Sequence, residues 1–294
     1  MKLLLIQNPV AGRNRKKTSV QDVLSLFAQS HVELTHRVTG QSGDCAAYAR
    51  DADASYDAIV CMGGDGTLHE AVSGILERPD DLPVGFIPYG TTNDLAYSLA
   101  LPEDPIAAGR MIISGHSRRM DIGAFGERFF VYVASFGTFS DVVFWTPQSR
   151  KNRFGKMAYI LTGALSLRRI RAHRAVIEHD HGTESGEFAL VAMTNARRTA
   201  GGFIRYGPEE AAMDDGLFEL MLVKKPRNLL MTLLVLTRMA LNRQDDRYIR
   251  RVQTARARVS SDTPIPWCLD GEYGGSLKEV EIRVQPRRIS VIQG

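Results

Sequence analysis

The strongest constraint on this chain is the segment at residues 59–70, which reads IVCMGGDGTLHE. An apolar run typical of a buried strand leads directly into glycines, Asp65 and Thr67, and a helical pattern follows. Glycines let the backbone approach phosphate oxygens, and the helix N-terminus supplies N–H groups and a favourable dipole. The segment therefore predicts a nucleotide-phosphate site, with Asp65 as a candidate Mg²⁺ ligand. The alternative is a plain strand-to-helix turn with Thr67 near the cap.

Strand and helix signals alternate over the first hundred residues. This order predicts β-α units around a parallel sheet, with ligands bound beyond the carboxyl ends of the strands. The loops expected to meet there are residues 8–13, 63–67 and 89–94. The predicted strands are residues 3–6, 32–38, 58–62 and 84–88, and the predicted helices are 20–28 and 67–76.

The pattern changes after about residue 122, where strand-like runs dominate and predict a β-rich second domain. We therefore expect an α/β N-terminal domain over residues 1–122 and a β-rich domain over residues 123–284. The predicted strands are residues 129–134, 175–178, 188–194, 217–223 and 280–284, and the predicted helices are 157–170 and 229–241.

Apolar stretches and cysteines in the sequence indicate where in the cell the protein works. Only four consecutive apolar residues follow Lys2, far fewer than a signal-peptide core, so we expect a cytoplasmic protein. The apolar stretch 229–241 contains Arg238 and is too short to span a bilayer. It suggests a helix at the lipid entry or on the membrane, although a core or subunit-packing helix is favoured. The three cysteines are scattered, which indicates reduced structural thiols.

The net charge is +4, with basic clusters at residues 13–17 and 168–174. Such clusters suit phosphate or anionic lipid, or they are solvated helix ends. Nucleic-acid binding is not predicted, because the clusters lack interleaved aromatic residues and the charge is modest for the length.

The glycine spacing at residues 63–67 is neither that of a Walker loop nor that of a dinucleotide fold. It resembles the Gly-Gly-Asp-Gly signature shared by diacylglycerol and sphingosine-type lipid kinases, NAD kinases and phosphofructokinases. Residues 88–96, PYGTTNDLA, look like the Gly-Thr-x-Asn-Asp-x-Ala segment of the diacylglycerol kinase catalytic domain. Further matches in the family's order are residues 8–12, 153–159, 201–202, Pro208, Ala211, 215–217 and 269–272.

The resemblance, closest to the bacterial soluble branch, implies an NAD kinase/phosphofructokinase-like first domain and a sandwich-like second domain. It also suggests that the strand in residues 285–294 returns to the first domain. The implied activity is transfer of the ATP γ-phosphoryl group, with Mg²⁺, to a lipid hydroxyl, by default that of diacylglycerol. The implied ATP contacts are Asn8, Arg13, Thr39, Gly64, Asp65, Gly66, Thr67, Glu70, Thr91 and Asn93.

The catalytic base implied by the resemblance is Glu272, because a carboxylate can accept the proton of an attacking alcohol. Asp270 lies two residues away, so on an extended strand both side chains would face the same cleft. An exposed hairpin turn is the alternative for this segment. Asp65, Asp94 and Asp121 resemble the acidic network that positions Mg²⁺. A second, structural metal is implied at the Asp215 carboxylate and at the carbonyls of Ala212 and Leu217.

We expect a lipid substrate at the inner membrane face, reached peripherally and without a transmembrane segment, and we leave a homodimer open. Two other functions stay open. One is an NAD-type kinase, which the residues at 90–94 argue against. The other is a non-catalytic nucleotide-binding regulatory protein, which the intact acidic residues argue against. Tyr97 and His69 depart from the residues common in the family at those positions.

Overall fold

The computed structural model describes residues 1–12, 18–91, 93–137, 171–196, 198–199, 204–205, 212–241, 243 and 247–294. The described chain forms two compact units. The first contains Met1–Met120 and Arg287–Gly294, and the second contains Asp121–Pro286. The chain therefore passes between the units twice, and its last residues belong to the first unit.

The first unit alternates strands with helices. The elements are β1 (Lys2–Gln7), α1 (Val20–Gln29), β2 (Glu33–Val38), α2 (Asp44–Arg50), β3 (Ala58–Gly63), α3 (Asp65–Leu76), β4 (Val84–Pro88), α4 (Asp94–Ser98) and α5 (Pro105–Ser114). The strands run parallel in the order β2, β1, β3, β4, and Val291, near the end of the chain, pairs in parallel with Val84 of β4.

Buried apolar runs explain the central strands of this sheet. Every residue of β3 and β4 is buried, as expected for strands covered on both faces. Ser19 is the N-cap of helix α1, and its hydroxyl accepts from the Asp22 N–H while the Asp22 carboxylate accepts from the Ser19 N–H. This capping box fixes the first turn of α1. Helix α3, in contrast, is capped by Gly64 without a side-chain hydrogen bond.

Antiparallel pairing dominates the second unit. The elements are β5 (His116–Phe125, shared with the first unit), β6 (Arg128–Phe130), β7 (Val133–Gly137), β8 (His173–His179), β9 (Gly182–Thr194), β10 (Arg198–Thr199), β11 (Ile204–Arg205), β12 (Phe218–Lys224), α6 (Leu229–Ala240), β13 (Ile249–Thr254), β14 (Arg256–Leu269) and β15 (Glu272–Gln293). Strands β8 and β7 lie end to end between β9 and β14, and β12 and β13 continue on the other edge of β9.

Aromatic side chains fill the core of the second unit. The Trp267 ring meets Phe125 and Phe136 edge to face, at centroid distances of 5.0 and 4.9 Å. All three are almost fully buried, together with Phe130 and Phe188. Such edge-to-face pairs add to the stabilisation that their buried area provides. This core fixes β7 and β14, and the hairpin that follows β14 carries Asp270 and Glu272.

The structure divides one predicted strand in two. Residues 129–134 form two strands, β6 and β7, with a bend at Val131 and Tyr132. The physical reason is Asp270, whose carboxylate accepts hydrogen bonds from the backbone N–H groups of this bend.

The predicted helix 157–170 lies outside the described residues. In the described part of the chain, no helix is both long and apolar enough to cross a membrane.

Candidate active site

The loops that follow β1, β3 and β4 meet at the carboxyl ends of these strands. The Asn8 N–H donates to the Met62 carbonyl at 2.9 Å, and the Tyr89 N–H donates to the Gly63 carbonyl at 2.6 Å. The first residue of the loop after β1 and that of the loop after β4 are therefore each hydrogen-bonded to the end of β3. A ligand here would lie where open α/β sheets generally bind nucleotides.

Asn8 connects the first loop to the start of α3. Its side-chain amide donates to the Thr67 hydroxyl at 3.1 Å, and its side-chain carbonyl accepts from the Val10 N–H at 3.1 Å. Thr67 is buried, and its N–H bonds to the Gly64 carbonyl at 3.0 Å. The Asn8 side chain thus holds the loop against the first turn of α3, where an anion would meet the helix dipole.

Glycines allow the backbones of these loops to approach closely. A Cβ on Gly90 would lie 2.5 Å from the Gly64 Cα. A Cβ on Gly12, whose φ is +67°, would lie 2.2 Å from the Tyr89 carbonyl oxygen. No side chain fits at either position without moving backbone. These glycines therefore fix the distance between the three loops.

Asp65 joins the Gly-Gly-Asp-Gly loop to the segment after β4. Its two carboxylate oxygens accept from the N–H groups of Asp94 and Leu95, at 3.1 and 3.2 Å. Asp65 therefore caps α4, while Asn93 takes a left-handed conformation and its side-chain carbonyl accepts from the Gly90 N–H. The Asp94 side chain is buried beside this cap.

The remaining predicted ATP contacts lie around the same strand ends. The Thr39 N–H bonds to the Gln7 carbonyl at 2.9 Å, directly after β2. Glu70, in the second turn of α3, accepts a hydrogen bond from the Ser42 hydroxyl at 3.2 Å. Gly66 and Thr91 are exposed. The predicted phosphate contact Arg13, the basic cluster at residues 13–17 and Thr92 lie outside the described residues.

We expect Gly90→Ala to weaken ATP binding by about tenfold or more. The new Cβ would contact the Gly64 backbone, which cannot rotate away as a side chain can, so the two loops must separate. Isothermal titration calorimetry with ATP and Mg²⁺ measures the change. Gly40→Ala is the matched control, because its Cβ would meet only the Asp44 carboxylate at an ordinary 3.5 Å. Unchanged ATP affinity in Gly90→Ala would show that the loop spacing does not matter.

In the second unit, the Asp270 carboxylate binds three consecutive backbone N–H groups. It accepts from Val131 at 2.6 Å and from Tyr132 and Val133 at 2.9 Å each. The Asp270 N–H in turn donates to the Val133 carbonyl at 2.9 Å. The side chain is only 4% exposed. Its oxygens therefore stabilise the bend between β6 and β7.

The expectation that Asp270 and Glu272 share one face of an extended strand is wrong. Leu269 and Glu272 pair across a two-residue hairpin, and Asp270 and Gly271 occupy the turn with φ of +50° and +93°. Two central residues with positive φ are typical of a type I′ turn, which Asp-Gly favours. Asp270 points into the fold, whereas Glu272 is exposed at the first position of β15.

Asp121 lies with the turn that precedes β12. It is fully buried, its carboxylate accepts from the Gly216 N–H at 2.7 Å, and its N–H donates to the Met213 carbonyl at 2.8 Å. Asp215 is exposed and accepts from the Leu217 N–H at 3.0 Å. Asp121 therefore holds the turn that carries the predicted structural-metal residues Ala212, Asp215 and Leu217.

The cysteines are buried thiols, as the sequence indicates. Burial, with smaller contributions from the Asp270 and Glu272 carboxylates, raises the pKa of Cys268 to about 12. Burial likewise raises the pKa of Cys45 to about 12, with a smaller contribution from Glu70. Both thiols therefore stay protonated at neutral pH and cannot act as nucleophiles.

The acidic residues suit a magnesium ion that arrives with a nucleotide. Among the described residues, no group of three or more His, Cys, Asp or Glu side chains could hold a metal. Magnesium is commonly held by one or two carboxylates together with substrate phosphates and water. Asp65 and Asp94, at adjacent loops of the first unit, offer such carboxylates, so the residues present fit this ion.

Comparison with known proteins identifies the family. Residues 2–125 match the model of the diacylglycerol kinase catalytic domain, and residues 135–293 match that of the YegS C-terminal NAD kinase beta sandwich-like domain. A diacylglycerol kinase of Bacillus subtilis strain 168 is 35% identical over 279 residues, which cover 93% of this chain and 90% of that protein. The chain belongs to the diacylglycerol kinase family.

A second relative is a diacylglycerol kinase of Staphylococcus aureus strain MRSA252, 34% identical over 276 residues, or 93% of this chain and 86% of its own. A crystal structure of a diacylglycerol kinase from Bacillus anthracis str. Sterne superposes with a TM-score of 0.74 at 20% identity and covers 100% of this chain and 97% of that one. A further structure from that strain, described provisionally as a diacylglycerol kinase, reaches 0.82 at 22% identity with the same coverage. At these identities the two structures show the fold alone.

The family resemblance drawn from the sequence motifs is thus confirmed, and so is the sandwich-like character of the second domain. Sequence reasoning did not find several residues that position the site. Tyr89 packs its backbone on Gly12 and donates its hydroxyl to the Thr18 carbonyl at 2.7 Å. The Asn195 amide donates to the Asp121 carbonyl at 2.9 Å. Tyr89 precedes the Gly-Thr-x-Asn-Asp-x-Ala pattern within residues 88–96, and Asn195 lies in no quoted motif, so only the three-dimensional contacts reveal the positioning role of either residue.

Proposed function

We propose that this chain is an ATP-dependent lipid kinase that phosphorylates the free hydroxyl of diacylglycerol to give phosphatidic acid. The observation that carries the proposal is the pair of hydrogen bonds that the N–H groups of Asp94 and Leu95 donate to the Asp65 carboxylate. It joins the glycine-rich phosphate loop to the segment that distinguishes diacylglycerol kinases from NAD kinases. The relatives named diacylglycerol kinase, which match along almost the whole chain, support the choice of lipid.

The proposed roles follow from the chemistry of each group. The N–H groups at the start of α3 and the side chains of Asn8 and Thr67 hold the ATP phosphates. Asp65 and Asp94 would hold Mg²⁺, which neutralises charge on the phosphates when bound. The Glu272 carboxylate accepts the proton of the lipid hydroxyl while the hydroxyl oxygen forms a bond to the γ-phosphorus of ATP. The bond from the γ-phosphorus to the bridging oxygen breaks, and ADP leaves.

Asp270 then acts as a positioning residue instead of a catalytic one. Its carboxylate oxygens already accept three backbone N–H groups, and the side chain is buried. This fixes the hairpin from which Glu272 projects. Asp121 is likewise proposed as a positioning residue, which shapes the turn at Ala212, Asp215 and Leu217. A structural metal at this turn would stabilise β12 and its neighbours.

Because its substrate is a lipid, the protein works at the cytoplasmic face of the membrane as a peripheral enzyme. Whether the protein forms a homodimer is to be measured by analytical ultracentrifugation.

The proposed function is tested by transfer of labelled phosphate from ATP to diacylglycerol, phosphatidylglycerol, ceramide, a sphingoid base and NAD. We expect label on diacylglycerol. Label on NAD alone would identify an NAD-type kinase, and label on no acceptor would leave a nucleotide-binding protein without kinase activity.

A further inference from the structure

Helix α6 (Leu229–Ala240) presents leucines to solvent. Leu230 is 69% exposed, Leu234 is 37% exposed, and Leu241, just beyond the helix, is 59% exposed. Positions 230, 234 and 241 fall on one side of a helix with 3.6 residues per turn. They define a leucine stripe about 16 Å long, given the helical rise of about 1.5 Å per residue.

The opposite side of the same helix packs into the second unit. Thr232, Val235 and Met239 are all at most 5% exposed. These positions lie roughly half a turn away from the leucine stripe, so α6 already has a buried face that secures it to the unit. The leucine stripe is not needed for that packing. Exposed leucines at regular helical spacing mark an interaction surface instead.

Basic residues flank the leucine stripe in the sequence. From Lys224 to Arg251 the sequence has eight Lys and Arg residues and two Asp residues. Lys224 and Arg250 pair with Glu184, and Lys225 pairs with Glu187. Arg227 and Arg243 are exposed, one beyond each end of α6.

We infer that the leucine stripe of α6 is a docking surface for an anionic lipid bilayer. An apolar face with cations beside it is the pattern of helices that lie in the membrane interface, where leucines enter the acyl boundary and cations meet head groups. A second copy of this chain suits the surface less well, because each copy would bring the same excess of cations to the contact. This inference rests on the proposed function in one respect, namely that the substrate resides in a membrane.

Binding to vesicles tests the inference directly. We expect the parent protein to cosediment with vesicles of equal parts phosphatidylcholine and phosphatidylglycerol. Replacing both Leu230→Ser and Leu241→Ser should weaken this partitioning by about tenfold or more, because two apolar side chains no longer enter the bilayer. The control pair Val176→Ser and Leu277→Ser changes two strand residues that are 38% and 37% exposed, and it should bind as the parent does. Replacing Arg227→Gln and Arg243→Gln should reduce binding to the anionic vesicles and leave weak binding to pure phosphatidylcholine unchanged.

The inference fails if the leucine variant binds anionic vesicles as tightly as the parent. It also fails if the parent is a dimer that the leucine variant converts to a monomer with no change in vesicle binding, since the surface would then join two copies. Phosphorylation of a short-chain, water-dispersed diacylglycerol separates this result from the enzyme's function. The leucine variant should keep the parent's rate on that substrate, whereas a parent protein with no activity on it would contradict the proposed function and leave the vesicle result standing.

Discussion

Glu272→Gln is expected to lower kcat by about 10²- to 10⁴-fold, the usual contribution of a general base. Glutamine keeps the size and the hydrogen-bonding reach of the side chain but cannot accept the hydroxyl proton. The loss should appear in kcat, with little change in the KM for ATP, because the implied ATP contacts belong to the first unit. Rates of phosphate transfer from labelled ATP to diacylglycerol in mixed micelles provide the measurement.

The same substitution should leave the fold intact. Glu272 is exposed at the start of β15, and exposed substitutions away from special contacts usually change stability by less than about 0.5 kcal/mol. Glu279→Gln is the matched control, because Glu279 is exposed on the same strand and pairs with Arg258. Full activity in the control and an unchanged melting temperature in both variants would locate the defect in chemistry. If Glu272→Gln retained parental activity, the base would have to be another residue.

Asp270→Ala is expected to destabilise the second unit by about 3 kcal/mol or more. The substitution leaves three backbone N–H groups, from Val131 to Val133, without their shared acceptor in a buried place. It also places alanine at a φ of +50°, a conformation that aspartate and asparagine tolerate better than alanine does. Thermal or urea unfolding measures the loss.

Asp270→Asn separates the two causes of this loss. Asparagine accepts the left-handed backbone, but its amide group turns a donor toward one of the N–H groups, so an intermediate loss of stability is expected. Asp262→Asn, at an exposed position of β14, is the control and should unfold as the parent does. At a temperature where Asp270→Asn remains folded, kcat should fall while the affinity for ATP stays unchanged, because Glu272 loses its fixed position. An Asp270→Ala protein as stable as the parent would show that the three hydrogen bonds contribute nothing.

The sequence carries enough information to predict most elements of the first unit. Strands β3 and β4 are continuous apolar runs that end in glycine or proline, and α3 begins within the glycine motif, at Asp65, two residues before its predicted start. These signals are local, so they can be read from a short window. The helix at Leu229–Ala240 is likewise predicted to within one residue. Because apolar side chains lie around almost its whole circumference, the sequence does not show which face of the helix is buried. Burial in the fold distinguishes Val235 from Leu234.

The second unit shows where a single sequence stops being informative. The break between β6 and β7 depends on Asp270, a residue 137 to 139 positions away in the chain. The same long-range contact determines that Asp270 is a buried acceptor and Glu272 an exposed carboxylate. A sequence can suggest the Asp-Gly turn, but it cannot show what the turn is bonded to. The candidate residues were found by family motifs, whereas the contrast between the buried Asp270 and the exposed Glu272 comes from the structure.

The return of residues 287–294 to the first unit affects how the protein is made. Ile289, Val291 and Ile292 are each at most 5% exposed, and the Ser290 hydroxyl bonds to Asp81 at 3.3 Å. During translation, the nucleotide-binding half is therefore synthesised first yet waits for the final segment before its sheet is complete. Until then β4 has an open edge that a neighbouring nascent chain could pair with. An isolated fragment ending at Met120 should therefore be a poor source of folded nucleotide-binding domain, and fusing residues 287–294 to it by a flexible linker is the rational remedy.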